Sequence, residues 1–550
     1  MSLHEKTARY SSTVLRLLSY SFFRWVAGPA AVPLTILTLF AVYVPSFIIS
    51  YLKGPDYQVV DDQVEVIVEE PVVVEGEAGQ DDKVVLEAEI DETITLEEKP
   101  ASPLKSFLTG APIHHSPILS LLTFLINVAL ATMVSDVLFR ARYQYPSNDL
   151  SFVRLGYVSH NEAKFLVREP DQTKLPVTLE IHVKDAVAPF DNPLWLTGGE
   201  VTLLDNSTDF TTVLDVPLRH PQQRIYEWRT SNNHSGEFTS PPKPGQLSSY
   251  NDGKFTFLST SCILPRFPYN PLDHPLSIPG LRHLAKLLPS LQAQLMLFLG
   301  DFIYIDPNPP AALVAGSSRA RRLGATYYEF TQGPASFFLL DTRTYRSDNY
   351  EPFESENKTM LGAQQLEDFL AWLNRPEPKG VQWKIVASSV PLTKNWPVNT
   401  KDTWGGFLSE RRKVLEAMWD AGARGVGVVI VSGDRHEFAA TKFPPPEGGR
   451  WPEMAAPHEF SCSPLNQFSS PVPTYRQYDD EDVAIKYIHS GNAKFGALTI
   501  ESHEGGTRSS LTYRLFIDGN EVWDTVVLTP TVPKVEKTPA SFWNRIMGGA

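Results

Sequence analysis

The chain of 550 residues predicts an α/β fold of layered sheets, preceded by a small antiparallel β-sandwich and by N-terminal transmembrane helices. Three observations carry this. Two long uncharged runs stand near the N-terminus, short alternating runs follow from about Leu150, and continuous apolar runs alternate with amphipathic helical stretches beyond Phe255. An apolar fraction of 42% with 11% aromatics is enough for a large core. The net charge of −14 has a single source, because Asp56 to Lys99 holds 16 Asp and Glu against two Lys. The remainder is near neutral and has no concentrated Lys/Arg stripe, which excludes nucleic acid as a partner. Two cysteines, Cys262 and Cys462, are too few for a disulfide framework, although a single bridge between them stays open.

Residues 1–24 read as a cytosolic N-terminus. Trp25 to Leu52, "WVAGPAAVPLTILTLFAVYVPSFIISYL", is 28 residues without a charge, long enough to cross a bilayer even if kinked at Pro33 and Pro45. Ser116 to Ser135 is a second uncharged run of 20 residues, weakened as a span by Asn127 and the bordering Asp136. Lys6, Arg9, Arg16 and Arg24 precede the first run, and Arg140 and Arg142 follow the second. Basic flanks on the cytoplasmic side make this an integral membrane protein with both ends, and the catalytic domain, in the cytosol. The sequons at Asn206, Asn233 and Asn357 argue for a lumenal face instead. Residues 53–115 between the spans alternate Val with Glu, but their charge density predicts a solvated, mostly disordered loop.

From 150 to 245 the runs "FVRLGYVS", "KFLVRE", "VTLEIHVKD", "TTVLDVPL" and "IYEWRTS", separated by turn residues, predict the β-sandwich. No catalytic cluster falls in it, so it reads as a packing or substrate-shaping accessory. From 254 to 529 the period changes. "FTFLSTSC", "QLMLFLGD", "SFFLLDTRT", "QWKIVASSV" and "VGVVIVSGDRHEF" are buried strands, while "LGAQQLEDFLAWL" and "SERRKVLEAMW" are helical. Function in such sheets sits at strand ends. Cys262, Asp301 with Tyr304, Asp341 with Arg343, and Asp434 with His436 all occur as an apolar run stops. A lone Asp there commonly caps a turn, but thiol, carboxylate, phenol and imidazole at four ends are the donors of a transition-metal or mixed-metal cluster. Residues 530–550 form a C-terminal tail.

"GDFIY" (Gly300 to Tyr304), "LDTRTYR" (Leu340 to Arg346), "WKIVASSVPL", "DTWGGFLSERRKVL" (Asp402 to Leu415) and "SGDRHEF" (Ser432 to Phe438) occur in that order. In these motifs, over roughly Leu150 to Thr529, the chain resembles the alkaline phosphatase D (PhoD-like) metallophosphatases, and its membrane runs resemble those of the fungal membrane-attached members. The resemblance implies a metallophosphoesterase-like four-layer sandwich and hydrolysis of phosphate monoesters or diesters. It implies ferric iron, with calcium or another divalent metal, bound by Cys262, Asp301, Tyr304, Asp434 and His436. Asp301, His436 and Arg343 are then catalytic, and Arg343 and Arg435 contact substrate, although a structural pairing of Asp341 with Arg343 stays open. The membrane and a phosphate ester are the partners so read, and no protein partner is identifiable.

One family segment is missing. Only 36 residues separate Tyr304 from Asp341, and the Asp-Asp-His-Glu string that belongs between these motifs is absent. Residues 305–318, "IDPNPPAALVAGSS", mark the seam. Weak or absent activity is therefore expected of this chain, with three readings open: an omitted exon in an active phosphatase, a pseudophosphatase that binds or scaffolds at the membrane, and a shortened site with one metal.

Overall fold

The computed structural model describes residues 3–24, 31–55, 57–68, 72–74, 83–85, 88–98, 102–186, 194–302, 325–348, 350–503 and 508–531. They belong to two units, Met1–Arg140 and Ala141–Ala550.

The first unit is helical with a hairpin. Helix α1 (Leu3–Arg24), within the segment read as the cytosolic N-terminus, packs along α2 (Ala31–Lys53). Its sequence carries no continuous apolar run, because serines such as Ser11, Ser12 and Ser19 fall among its buried positions. Strands β1 (Tyr57–Val68) and β4 (Ala88–Glu98) pair antiparallel, and β2 (Val72–Val74) pairs with β3 (Lys83–Val85). The expectation of a disordered loop is corrected for these residues. β-branched residues are frequent in both strands, Val59, Val64, Val66, Ile67 and Val68 in β1 and Ile90, Thr93, Ile94 and Thr95 in β4, and favour extended backbone despite the charge between them. Helix α3 (Pro103–Thr109) ends at Gly110, whose φ of 75° is left-handed and where a Cβ would lie 1.9 Å from Ser12 Oγ. Helix α4 (Pro117–Ser135) starts one residue inside the predicted run, with Ser116 as its cap and Pro117 in its first turn. Helices α2 and α4 are long and apolar enough to cross a membrane.

The second unit opens with a short helix α5 (Ala141–Gln144) and two antiparallel sheets. One contains β5 (Phe152–Val158), β6 (Glu162–Arg168) and β9 (Thr211–Pro217); the other contains β7 (Val177–Val183), β8 (Leu196–Val201), β10 (Ile225–Thr230) and β11 (Ser235–Thr239). Phe165, Ile181, Trp228 and Phe238 fill one core between them, set by strict alternation as in β7, where every second residue is buried.

Two larger sheets follow. The five-stranded one has the order β13 (Leu295–Phe298), β12 (Phe255–Thr260), β21 (Lys494–His503), β22 (Arg508–Ile517), β23 (Asn520–Leu528). The seven-stranded one has the order β14 (Tyr328–Gln332), β15 (Ala335–Leu339), β16 (Trp383–Ser388), β17 (Gly427–Ser432), β19 (His458–Cys462), β18 (Phe438–Lys442), β20 (Val483–Ile488). Residues on β16 and β17 show why their runs are apolar throughout. Ile385 and Val429 point into the core shared by the two sheets, whereas Val386 and Ile430 pack against helices α7 (Gly362–Asn374) and α8 (Leu408–Ala423). Helix α6 (Pro279–Leu291) covers the five-stranded sheet through Leu284 and Leu291 against Leu258 and Phe495.

Candidate metal centre

Strands β12 and β13 are parallel neighbours, so the segments leaving them emerge at one edge. Their pairing continues beyond the strands: Cys262 N donates to Gly300 O at 3.0 Å, and Ile263 N donates to Asp301 O at 3.0 Å. This brings a thiol and a carboxylate that are 39 residues apart to one place, where Cys262 Sγ donates to Asp301 Oδ2 at 3.4 Å. The predicted run from Val426 to Phe438 is two strands, and the turn between β17 and β18 delivers the third donor. Single ligand atoms of Cys262, Asp301 and His436 lie within 4.8 Å of one another.

The backbone at this site is unusual. Cys262 (φ 62°), Asp301 (φ 54°), Asp434 (φ 79°) and His436 (φ 58°) all adopt left-handed conformations that non-glycine residues rarely hold. Neighbouring elements fix them. Ser261 Oγ accepts Asp434 N at 3.2 Å, Ser463 Oγ accepts His436 N at 2.7 Å, and Lys494 Nζ donates to His436 O at 3.1 Å. A Cβ on Gly433 would stand 2.3 Å from Ser261 Oγ, which explains the glycine of "SGDRHEF".

Burial pushes the His436 imidazole down to about 3, so at neutral pH it is uncharged, the form that ligates metals. Burial pushes Asp434 up to about 6, opposed by Arg435 and Arg343. Asp434 stands outside the close trio, with oxygens 3.7 Å from an Arg343 nitrogen and 3.6 Å from an Arg435 nitrogen. Thiol, carboxylate and neutral imidazole are a donor set suited to a borderline or transition metal, and the residues present fit one.

Arg343 does not pair with the Asp341 side chain as an ion pair. Asp341 Oδ1 accepts the backbone N–H groups of Arg343 at 2.9 Å and Thr344 at 2.8 Å, while Oδ2 accepts Thr326 Oγ1, so Asp341 builds the turn that carries Arg343. The Arg343 guanidinium meets Asp402 at 2.6 Å, and Arg346 reaches the same oxygen at 2.6 Å. Asp402 opens "DTWGGFLSERRKVL", but the sequence gives it no role because its partners arrive from the β15 end. Burial alone would raise its pKa; Arg343 and Arg346 outweigh this and hold it below the usual carboxylate range. Arg435 is nearly buried: its guanidinium lies over the Trp396 ring at 5.3 Å and donates to Val398 O at 2.5 Å. Ser261, Ser463 and Lys494 also escaped sequence reading, since each acts on the backbone of a residue far away in the chain.

Tyr304 and the seam at 305–318 lie outside the described residues. Cys262 and Cys462 are both buried and form no disulfide with each other, and burial pushes Cys462 up to about 12.

The PhoD-like phosphatase family model matches residues 316–511. That stretch includes Asp341, Arg343, Asp402, Asp434 and His436, and starts after Cys262 and Asp301. No curated protein matches the chain. Among solved structures the chain is similar to that of PhoD, at 14% identity and a TM-score of 0.45, over 70% of this chain and 92% of that one. It is also similar to the purple acid phosphatase PPD1 from yellow lupin (Lupinus luteus) seeds, at 13% identity and a TM-score of 0.46, over 69% of this chain and 74% of that one. Residues 316–511 thus carry the match to the PhoD-like phosphatase family.

Proposed function

We propose that the chain hydrolyses phosphate esters at a metal centre held by Cys262, Asp301 and His436, with Tyr304 and Asp434 completing the donor set. The observation that carries this reading is the convergence of three donors within 4.8 Å from two different sheets. When bound, ferric iron with calcium or another divalent cation supplies Lewis-acid charge to the phosphoryl oxygens and holds thiol and phenol donors deprotonated. The protein's own residues do the rest. Cys262, whose Sγ donates to Asp301, would hold the metal as a thiolate with its proton released to solvent, His436 would hold it as a neutral imidazole, and Arg343 orients the phosphoryl group while Asp402 fixes its guanidinium. Arg435 braces Asp434 from beneath rather than touching substrate. Helices α2 and α4 attach the protein to a membrane.

The test is turnover of a chromogenic phosphodiester by the full chain after loading with iron and calcium, alongside its iron content and visible absorption. Weak turnover that disappears in His436→Ala, with a visible band lost in Tyr304→Phe, supports the reading. Turnover that survives His436→Ala and chelation places catalysis elsewhere. The 36-residue spacing between Tyr304 and Asp341 favours a second reading, a pseudophosphatase that binds at the membrane; no turnover, with partner binding retained when Asp301 and His436 are both alanine, supports it.

A further inference from the structure

Helix α1 leaves large apolar side chains exposed while it buries several serines. Its buried side mixes Ser11, Ser12 and Ser19 with Ala8, Leu15 and Phe22, while Tyr10, Val14, Leu17 and Tyr20 stand 43–70% exposed. A water-facing amphipathic helix does the reverse. Small residues toward a neighbour, here Ser46 and Ser50 on the buried side of α2, are the packing found between helices in lipid, where close backbone approach replaces the hydrophobic effect.

Arg16 is the sole charge between Arg9 and Arg24, and it too is turned inward. Its Nε donates to Asn127 Oδ1 at 2.8 Å. One terminal nitrogen donates to Phe107 O at 2.8 Å and Leu108 O at 2.9 Å, and the other to Thr123 O at 2.9 Å and Thr123 Oγ1 at 2.8 Å. These acceptors match all five of its N–H donors. The same contacts satisfy carbonyls in the last turn of α3, which lipid cannot hydrate. Asn127 is in turn anchored to Ser12 Oγ at 2.8 Å. An ionised residue satisfied in this way is one a bilayer interior tolerates. The 22 residues of α1 are about 33 Å long, with Glu5, Lys6 and Arg9 in the first two turns and Arg24 at the end, which places those charges toward the two interfaces and Arg16 within the apolar part.

We propose that α1 crosses the bilayer as a third span, antiparallel to α2, with lipid acyl chains covering its exposed tyrosine, valine and leucine face. This rests on the reading that α2 and α4 are membrane-embedded. Its consequence is that the N-terminus lies on the same side as β1 and β4, whereas two spans alone put them on opposite sides.

The test uses the full-length chain in sealed vesicles with single substitutions Leu3→Cys, Arg24→Cys and Val64→Cys, reacted with a membrane-impermeant maleimide. The native thiols are buried and give a low background. The expected result is that Leu3→Cys and Val64→Cys share one sidedness while labelling of Arg24→Cys is lost in the same vesicles and restored by permeabilisation. Leu3→Cys and Arg24→Cys on one face with Val64→Cys on the other overturns the α1 span and leaves the α2 span standing. All three on one face removes the α2 span, and the proposal with it.

Discussion

Single residues carry the chemistry, and their contacts set the size of each expected effect. Asp301→Asn and His436→Ala each remove a donor from a trio within 4.8 Å, so iron affinity should fall by at least the 10–100-fold typical of losing a mere supporting partner. Metal content after dialysis measures this, and full iron retention in both variants would rule the trio out as the centre. Asp402 adds a pH signature. Its folded pKa is lowered by Arg343 and Arg346 against the effect of burial, so its stabilisation is present above its unfolded value of about 3.9 and is lost as pH falls through the folded value. Asp402→Asn should cost about 2 kcal/mol at pH 7, with the gap to wild type closing toward acid pH. Urea titrations at pH 7 and at acid pH measure it, and a gap constant with pH refutes the assignment. Because Asp402 also fixes Arg343, the same variant should raise KM about tenfold, a loss of roughly 1.4 kcal/mol of substrate binding, with a smaller change in kcat.

At the scale of elements, the turn between β17 and β18 depends on a close approach to the end of β12. Gly433→Ala would place a Cβ 2.6 Å from Ser261 Cβ and 2.3 Å from its Oγ, and Ser261 bonds both Cys262 Sγ and Asp434 N. We expect a loss of roughly 1–3 kcal/mol together with weakened metal binding. The double variant Ser261→Gly with Gly433→Ala should recover part of the stability, because the clash is gone. Thermal unfolding of the four proteins of this cycle is the measurement, and strict additivity would show that the two residues do not meet. The strands around this turn were legible from sequence, since residues such as Ile385, Val386, Val429 and Ile430 are buried alternately toward a sheet and toward helices and so read as unbroken apolar runs. The hairpin of β1 and β4 was not, because charge density and β-branched alternation argue opposite outcomes over the same residues. The surroundings of Arg435 were not legible either. A strand-end arginine in a catalytic motif has the same appearance in sequence whether it faces substrate or lies over Trp396.

For the whole molecule, metal binding and stability should be linked. Free metal at 100 times its Kd stabilises a folded site by about 2.7 kcal/mol, so a chelator should lower the Tm of the wild type and leave Cys262→Ala unmoved. An identical chelator shift in both proteins would mean that the stabilising metal sits elsewhere.

The sequence by itself determined the order of the modules, the apolar runs that become central strands, the two long uncharged helices and the motif residues Cys262, Asp301, Asp434 and His436. These follow from local composition and periodicity, which each segment carries within itself. Only the tertiary structure decided that Cys262, Asp301 and His436 share one point in space, that Asp341 builds a turn while Asp402 holds Arg343, and that Arg16 and Asn127 satisfy each other inside a helical unit. The physical reason is the same in each case. Arg16 and Asn127, separated by 111 residues, look like defects in separate helices, and whether a buried polar group is a penalty or a staple depends on a partner that local sequence does not name.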